Sequence, residues 1–355
     1  MKRFINRSLL SLLLCISIPG LASQPMIKDC IGHYAYDIPQ SADIAIVRAS
    51  ALRERGLIGF RPKFNSGVES SDAKLDYNGQ IFIFEALNEE ERTFYFESRV
   101  KSINDFKLRL YESRRAEDKE KADALEIKAM SDGFISYFLG GFAVLKFDPH
   151  YSVYFNYRES VAKDQVEAVA NKTYRSFRSR SIGDIPTEKG ICLPLAFLQD
   201  EDERTLELNA VYQLVDHPEV TIRISEETRE DYYGKKSNKE ELEERWFYAY
   251  RGITNQVNLL GSSKFRPVQI GGLPGLETLG EFVRIGDDKK KDYAYLAFAR
   301  GKSLKDSSIY VHIHRNSKRL RGRINDEVMS KADFEAMAKQ ITRSIYRRDR
   351  PSAQE

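Results

Sequence analysis

The chain has 355 residues, which is long for one domain and ample for two domains that each bury a core. Hydrophobic residues make up 41% and charged residues 31%, as in ordinary soluble globular proteins. The 56 Lys and Arg residues nearly balance the 53 Asp and Glu residues, which argues against a nucleic-acid-binding protein.

The N-terminus is predicted to be a targeting signal. A basic start precedes an apolar stretch at residues 8–18, which is too short to span a bilayer, and the small residues Gly20 and Ala22 follow. We expect cleavage after Ala22, with cleavage after Ser23 as the neighbouring choice, so that the mature chain would begin at Gln24 if cleavage slips by one. Residues 1–22 are therefore predicted to be a signal peptide, and the mature chain to be periplasmic and to begin at Ser23.

Removal of this leader changes the charge and the cysteine count. The leader holds three basic and no acidic residues, so 53 of each sign remain. Cys15 leaves with it; a lipoprotein is disfavoured because Leu14 stands where processing needs a small residue. Two cysteines remain, Cys30 and Cys192, and an even number in an oxidising compartment predicts one disulfide. Two separate buried thiols stay the alternative, because spacing does not establish proximity.

The first half of the chain is rich in strand-like runs with aromatic and β-branched residues. A charged helix is predicted from residue 104 to about 121, because Val100, Ile103, Phe106 and Leu110 are spaced for one helical face. The predicted strands are residues 33–38, 43–48, 80–87, 93–97, 125–129, 134–138, 142–147 and 151–157.

The second half follows the same plan of strands, a helix and more strands. Its predicted helix is residues 239–247. Its predicted strands are residues 205–214, 220–225, 266–270, 281–285, 293–300 and 308–314.

Each half closes with the same kind of amphipathic helix. Apolar residues occupy steps 0, 3, 4, 7 and 11 from Val166, and again from Phe334, 168 positions later. Ser330 with Asp333 predicts an N-terminal cap for the second helix. The two stripes are Val166, Val169, Ala170, Thr173 and Phe177, and Phe334, Met337, Ala338, Ile341 and Ile345.

These parallels predict an internally duplicated α+β protein. The link at residues 179–190 contains Gly and Pro and divides the halves. The expected domains are residues 23–182 and 183–355, each a mainly antiparallel sheet with helices. A solenoid would need several shorter repeats, which the sequence lacks.

No enzyme signature is present: the sequence has no nucleophile elbow, zinc-protease motif, Walker loop or dinucleotide fingerprint. His312 and His314 alternate on a predicted strand and could chelate a metal, but the basic neighbours Arg315, Lys318 and Arg319 oppose a cation. A solvated strand face is the preferred interpretation. We predict no catalytic residue, metal site or cofactor.

Two further segments admit more than one interpretation. Residues 271–275 are rich in glycine but lack the lysine of a phosphate loop, so a tight turn between strands is favoured. Tyr232 and Tyr233 lie in the highly charged connection at residues 225–246. Aromatic residues in a polar loop are typical of a protein-contact site, and the alternative is that both rings fold back onto the domain.

The segments "KDCIGHYAYDIP" (28–39), "KGICLPLAFLQ" (189–199) and "QIGGLPGLE" (269–277) resemble a family of exported, two-domain immunity proteins. These protect bacteria that use type VI secretion against a lipase effector. The resemblance covers nearly the whole mature chain, in the same order. His33 and the pair Leu193-Pro194 depart from the pattern.

The resemblance implies two similar α+β domains that form a clamp on a phospholipase effector in the periplasm and cover its lid or active-site mouth. No catalytic residue carries over; Cys30, Gly32, Cys192 and Gly272 match as structural positions. The cognate effector is the expected partner, with no nucleic acid and no membrane span. The alternatives are an exported hydrolase with an unrecognised site and an envelope-assembly binding protein.

Overall fold

The computed structural model describes most of the chain from residue 25 onward. The described ranges are residues 25–50, 60–113, 115–157, 161–162, 164–200, 205–228, 236–286, 291–303, 306–320 and 328–348.

The first half contains ten strands with assigned bounds and three helices within the described residues. The strands are β1 (Met26–Ile31), β2 (Tyr34–Pro39), β3 (Ala42–Ile44), β4 (Leu75–Tyr77), β5 (Gly79–Glu85), β6 (Glu126–Met130), β7 (Gly133–Phe138), β8 (Gly141–Phe147), β9 (Tyr151–Tyr157) and β10 (Phe177–Ser179). The helices are α1 (Glu89–Glu112), α2 (Ala116–Ala124) and α3 (Val166–Ser176).

The second half repeats this order along the described chain. Its strands are β11 (Ile191–Leu193), β12 (Ala196–Leu198), β13 (Leu206–Leu214), β14 (Val220–Glu227), β15 (Val257–Leu259), β16 (Arg266–Ile270), β17 (Leu273–Val283), β18 (Lys291–Ala299), β19 (Ser308–Arg315) and β20 (Tyr346–Arg347). Its helices are α4 (Asn238–Tyr250), α5 (Lys331–Ser344) and the 3-10 helix Ser317–Leu320.

The two halves have the same strand order and join into one antiparallel sheet. The order in the first half is β4-β5-β9-β8-β7-β6, and the order in the second is β13-β14-β19-β18-β17-β15. The halves meet where β4 pairs with β13, with Leu75 opposite Leu208 and Tyr77 opposite Leu206. The predicted α+β class with two similar halves is confirmed, and the sheet itself runs through both.

The opening hairpins are exchanged between the halves. Hairpin β1–β2 pairs with β20, the last strand of the second half, while hairpin β11–β12 pairs with β10, the last strand of the first half. Cys30 and Cys192 form a disulfide between these hairpins. Beside it, Gly32 and Cys192 exchange two backbone hydrogen bonds of 2.7 and 2.9 Å.

A buried ion pair lies next to the disulfide. The side chains of Asp29 and Arg180 are fully buried, with Arg180 Nη2 2.7 Å from Asp29 Oδ1. Arg180 Nη2 also donates to the carbonyl of Cys30, and Tyr212 donates its hydroxyl proton to Asp29 Oδ2 at 2.7 Å. Partners on both charged groups offset the cost of taking them out of water, so the network fixes the junction between the halves.

The sheet carries helices on both faces. One face packs on α3 and α5 in a core that includes Ile83 and Phe155 from the first half and Ile224 and Val311 from the second. The alternating side chains on the other face pack on α1 or on α4 in two smaller cores. Helices α1 and α4 therefore lie on the same face of the sheet, which is called the outer face below.

The closing helices bury the predicted apolar stripes. In α5, Phe334, Ala338 and Ile341 are fully buried, and Ser330 caps the helix by accepting the N–H of Asp333 at 3.1 Å. In α3, Val166, Ala170 and Thr173 are buried, and so is Tyr174, which occupies the same step as the buried Thr342 of α5. The stripes hold the helices on the sheet by apolar burial.

The predicted strand at 93–97 is wrong, and the helix predicted at 104–121 begins earlier. Residues 93–97 lie inside α1, which begins at a capping box between Asn88 and Glu91. This reciprocal pair satisfies backbone donors of the first turn and favours helix there. The helix ends at Glu112, and α2 follows separately at residue 116.

Candidate functional site

A groove of about 910 Å³ opens on the outer face of the sheet. Strands β14 and β19 supply its floor, α4 supplies one wall, and the loop between β3 and β4 supplies the other. The first half of the chain thus contributes a wall to a groove whose floor belongs to the second half. The polar lining side chains include Asp72, Thr221, Arg223, Lys236, Glu241, Arg245, Tyr248, Arg284, Tyr310, His312, His314 and Arg319.

Strand pairing explains why the floor is polar. In β14, Ile222 and Ile224 enter the main core, so Thr221 and Arg223 point to the outer face. In β19 the partners of these two residues are His314 and His312, respectively. The floor is therefore made of two cross-strand pairs, one Thr–His and one Arg–His.

Helix α4 holds a charged network over this floor. Arg245 pairs with Glu241, with Nε 2.9 Å from Oε1, and also pairs with Glu227. Its guanidinium lies 4.1 Å from the ring centroid of Tyr310 on the floor. The ion pairs and the ring contact hold the Arg245 side chain in place in the wall that α4 forms.

The two histidines of the floor are neutral groups in a basic setting. Burial lowers the pKa of His312 well below its usual value, and the charge of Arg223 acts in the same direction. The hydroxyl oxygen of Tyr250 lies within hydrogen-bond distance, 2.8 Å, of Nε2 of His312. Burial, with the charges of Arg319 and Arg284, lowers the pKa of His314 to about 3. Both imidazoles are therefore uncharged at neutral pH.

The preference for a solvated strand face at His312 and His314 is wrong for His312, which is 9% exposed beneath α4. Within the described residues no group of three or more His, Cys, Asp or Glu side chains is placed to hold a metal ion. The arginines around the imidazoles would oppose one.

The outer face also carries exposed aromatic side chains. Phe247 and Tyr248 of α4 are 57% and 65% exposed, and Tyr248 lines the groove. Helix α1, in the corresponding position of the first half, exposes Phe106 and Leu108. Of the eleven large hydrophobic residues exposed in the described ranges, six lie on these two helices: Phe94, Phe106, Leu108, Tyr111, Phe247 and Tyr248. Aromatic residues at this density mark protein-contact surfaces.

The predicted contact residues Tyr232 and Tyr233 lie outside the described residues. The described chain resumes at Lys236, which lines the groove and pairs with Glu244, with Nζ 2.5 Å from Oε2.

The remaining residues singled out from the sequence lie in turns of the fold and have structural roles. Gly32 has φ +55°, and a Cβ there would lie 1.6 Å from Glu226 Oε2. Gly272 has φ +81° in the turn between β16 and β17, as expected of a tight turn. His33 binds Glu226 through both its backbone N–H and Nδ1, while Pro194 lies in the turn between β11 and β12. Both departures thus occupy the turns of the opening hairpins.

Sequence reasoning missed the groove itself. The alternation of polar and apolar residues in β14 and β19 showed that each strand has a polar face. It did not show that the two faces adjoin, because the strands are far apart in the chain. The exposed side of α4 carried no motif.

Comparison with known families identifies the second half. Residues 184–351 match the family model described as the Tle cognate immunity protein 4 C-terminal domain. The predicted resemblance to the immunity-protein family is confirmed. The matched domain is an immunity-protein domain, which agrees with the prediction that the chain is not an enzyme. No curated protein matches the chain in sequence.

Solved structures share the fold over nearly the whole chain. The immunity protein TplEi of the type VI secretion system of Pseudomonas aeruginosa matches in its apo form with a TM-score of 0.58 and 16% identity, covering 92% of this chain and 99% of that one. TplEi complexed with an "L" peptide matches with a TM-score of 0.55 and 16% identity, covering 92% and 100%.

A chain of the Tle4–Tli4 complex matches with a TM-score of 0.55 and 15% identity, covering 91% of this chain and 98% of that one. No described helix has the length and apolarity needed to cross a membrane.

Proposed function

We propose that this chain, whose residues 184–351 carry the immunity-protein domain, is a periplasmic immunity protein that binds a cognate phospholipase effector of a type VI secretion system. The family match is the observation that carries the proposal. The signal peptide predicted at residues 1–22 and the disulfide between Cys30 and Cys192 support export to an oxidising compartment.

The outer face is the proposed binding surface. Helices α1 and α4 occupy corresponding positions of the duplicated sheet and present the six exposed hydrophobic side chains named above. Two such helices supply two contact regions on one continuous sheet, so docking of the first makes the second contact intramolecular. This arrangement would act as the clamp that the resemblance implies.

Inhibition would follow from occlusion. A lipase must bring its active-site mouth to a lipid surface, and a protein bound over the lid or the mouth blocks that approach. An interface of at least about 1,600 Å² is expected for a stable inhibitory complex. The chain itself would not hydrolyse phospholipid, because it would act only by binding the lipase.

A binding measurement tests the site. The mature chain, residues 23–355, is titrated by calorimetry into the purified product of the neighbouring gene, which the proposal expects to be the lipase effector. Replacing Phe247 and Tyr248 together by Ala should raise the Kd by about 30-fold or more, because exposed aromatic side chains often dominate interface energy. An unchanged Kd would remove α4 from the interface.

Val215→Ala provides a matched control. Val215 is 64% exposed, close to the 65% of Tyr248. It lies just after β13 and is not among the residues that line the groove. Its substitution should leave the Kd within about twofold. A comparable loss in the control would show that the aromatic pair has no special role.

A further inference from the structure

One end of the groove concentrates guanidinium groups around a neutral imidazole. Arg319, from the 3-10 helix after β19, and Arg284, just after β17, both line the groove with His314. Thr221, the cross-strand partner of His314, receives a hydrogen bond from Arg319 Nη1 at 2.5 Å. This basic end consists of Arg319, Arg284, His314 and Thr221.

Counting only the residues that the structure describes, the positive charge there is partly balanced. Arg284 pairs with the fully buried Asp292, with Nε 2.5 Å from Oδ2. Asp292 is also approached by Arg315, with Nε 3.9 Å from Oδ1, so one carboxylate faces two guanidinium groups. Arg319 has no carboxylate partner among the described residues, and its known contact is the neutral hydroxyl of Thr221.

The groups of the basic end repel one another electrostatically. Burial and the charge of Arg284 lower the pKa of Arg319. The pKa of His314 is lowered by burial and then by the charges of Arg319 and Arg284. Such mutual repulsion is relieved when an anion enters, so the basic end is set up to bind negative charge.

We propose that the basic end of the groove binds a carboxylate side chain of the cognate effector, with Arg319 as its principal partner. This inference rests on the proposed function and names the chemistry by which the groove recognises its partner. The planar guanidinium presents donors in a fork that matches a carboxylate, and Thr221 orients the fork by accepting from Nη1.

The shape of the groove favours a protein carboxylate over a small free anion. Its volume of about 910 Å³ far exceeds that of one small ion. Tyr248, which is 65% exposed, stands in the same lining. An acidic side chain on a projecting segment could reach the basic end while its backbone contacts the aromatic wall, and this combines an ionic anchor with an aromatic one.

Arg319→Gln tests the inference against the lipase encoded by the neighbouring gene. The substitution removes the charge and the guanidinium fork but keeps a shorter polar side chain that can still donate a hydrogen bond. The Kd should rise by about 30-fold, the loss typical of removing one member of a desolvated charge pair. Raising the salt concentration should weaken wild-type binding more than binding by the variant, because the variant lacks the ionic contact.

Lys318→Gln is the matched control, since it removes the same charge from the adjacent, exposed position that does not line the groove. Its Kd should remain within about twofold. Arg319→Lys keeps the charge and loses the fork, so it should recover part of the affinity. Thermal unfolding of each variant shows that the fold is intact.

The outcomes separate this inference from the proposed function. Tight wild-type binding with equal affinity in Arg319→Gln would overturn the carboxylate site and leave the immunity function standing. Equal losses in Arg319→Gln and Lys318→Gln would also overturn it, since the effect would then be one of general charge. Failure of the wild-type chain to bind the lipase would overturn both.

Discussion

Gly32 shows how a single residue holds the two halves together. It lies in the turn of the first hairpin with φ +55°, in the left-handed region that side chains disfavour. The fully buried carboxylate of Glu226 approaches so closely that a Cβ has no space. Glu226 in turn accepts hydrogen bonds from the backbone of His33 and from Ser307. Although burial alone would raise the pKa of Glu226, these partners lower it overall.

Gly32→Ala is expected to destabilise the protein strongly. The new methyl group would displace a buried carboxylate as well as strain the backbone, so the free energy of unfolding should fall by about 3 kcal/mol or more. Urea unfolding measures the loss. Gly67→Ala is the control: Gly67 has φ +82° but nothing within 4 Å of its would-be Cβ, so backbone strain alone predicts about 1 kcal/mol. Equal losses would refute the role given to Glu226.

For single residues, the sequence identified structurally important positions but not the residues that they contact. The motif around Cys30 and Gly32 marked both as structural, and the structure places them at the hairpin junction. Glu226 stood in a charged segment with no feature to distinguish it. Its link to His33 spans 193 positions, and such a contact depends on a strand register that one sequence does not encode locally.

Among the elements, strong helical periodicity was the most reliable guide. Most residues of the stripes of α3 and α5 were predicted, because each helix has a single buried face. Val169 is only partly buried, Tyr174 was missed, and Phe177 and Ile345 lie just past the helix ends.

Helix α1 was misjudged, since only Tyr95 and Ile103 of its residues are buried and it therefore shows little amphipathic pattern. The aromatic run at residues 94–96 has the composition of a strand, which led to the wrong prediction. The helix-capping sequence at Asn88 was the local signal for a helix that the prediction overlooked.

The disulfide covalently links the two exchanged hairpins, β1–β2 and β11–β12. Reduction of the bond between Cys30 and Cys192, which are 162 positions apart, should lower the free energy of unfolding by at most about 4–5 kcal/mol, because it frees a long loop in the unfolded chain. Urea unfolding with and without reductant measures the change. The double variant Cys30→Ala/Cys192→Ala should not respond to reductant. Two freely alkylated thiols in the native oxidised protein would refute the pairing.

The whole molecule is a duplicated sheet that joins edge to edge. The sequence indicated the duplication through the closing helices and the repeated order of elements. It did not reveal the pairing of β4 with β13, because β4 has only three residues and went unpredicted. The boundary near residue 183 stays a prediction; the shared sheet and exchanged hairpins mean that a cut there would expose core from both halves.

The groove forms because the two halves join into one sheet. Its floor comes from the second half and one wall from the loop of the first half, with Arg223 Nη1 3.8 Å from Asp72 Oδ1 across the boundary. A binding site of this kind exists only in the assembled sheet. Its residues therefore carried no sequence motif, whereas the family resemblance could be recognised from short segments.

The most direct test of the immunity function is lipase turnover on phospholipid vesicles. The mature chain is added in equimolar amount to the lipase encoded by the neighbouring gene, at concentrations well above the Kd. The account predicts that phospholipid hydrolysis stops, and that the chain alone releases no fatty acid from the vesicles. Undiminished lipase activity in the presence of the folded, disulfide-bonded chain would contradict it.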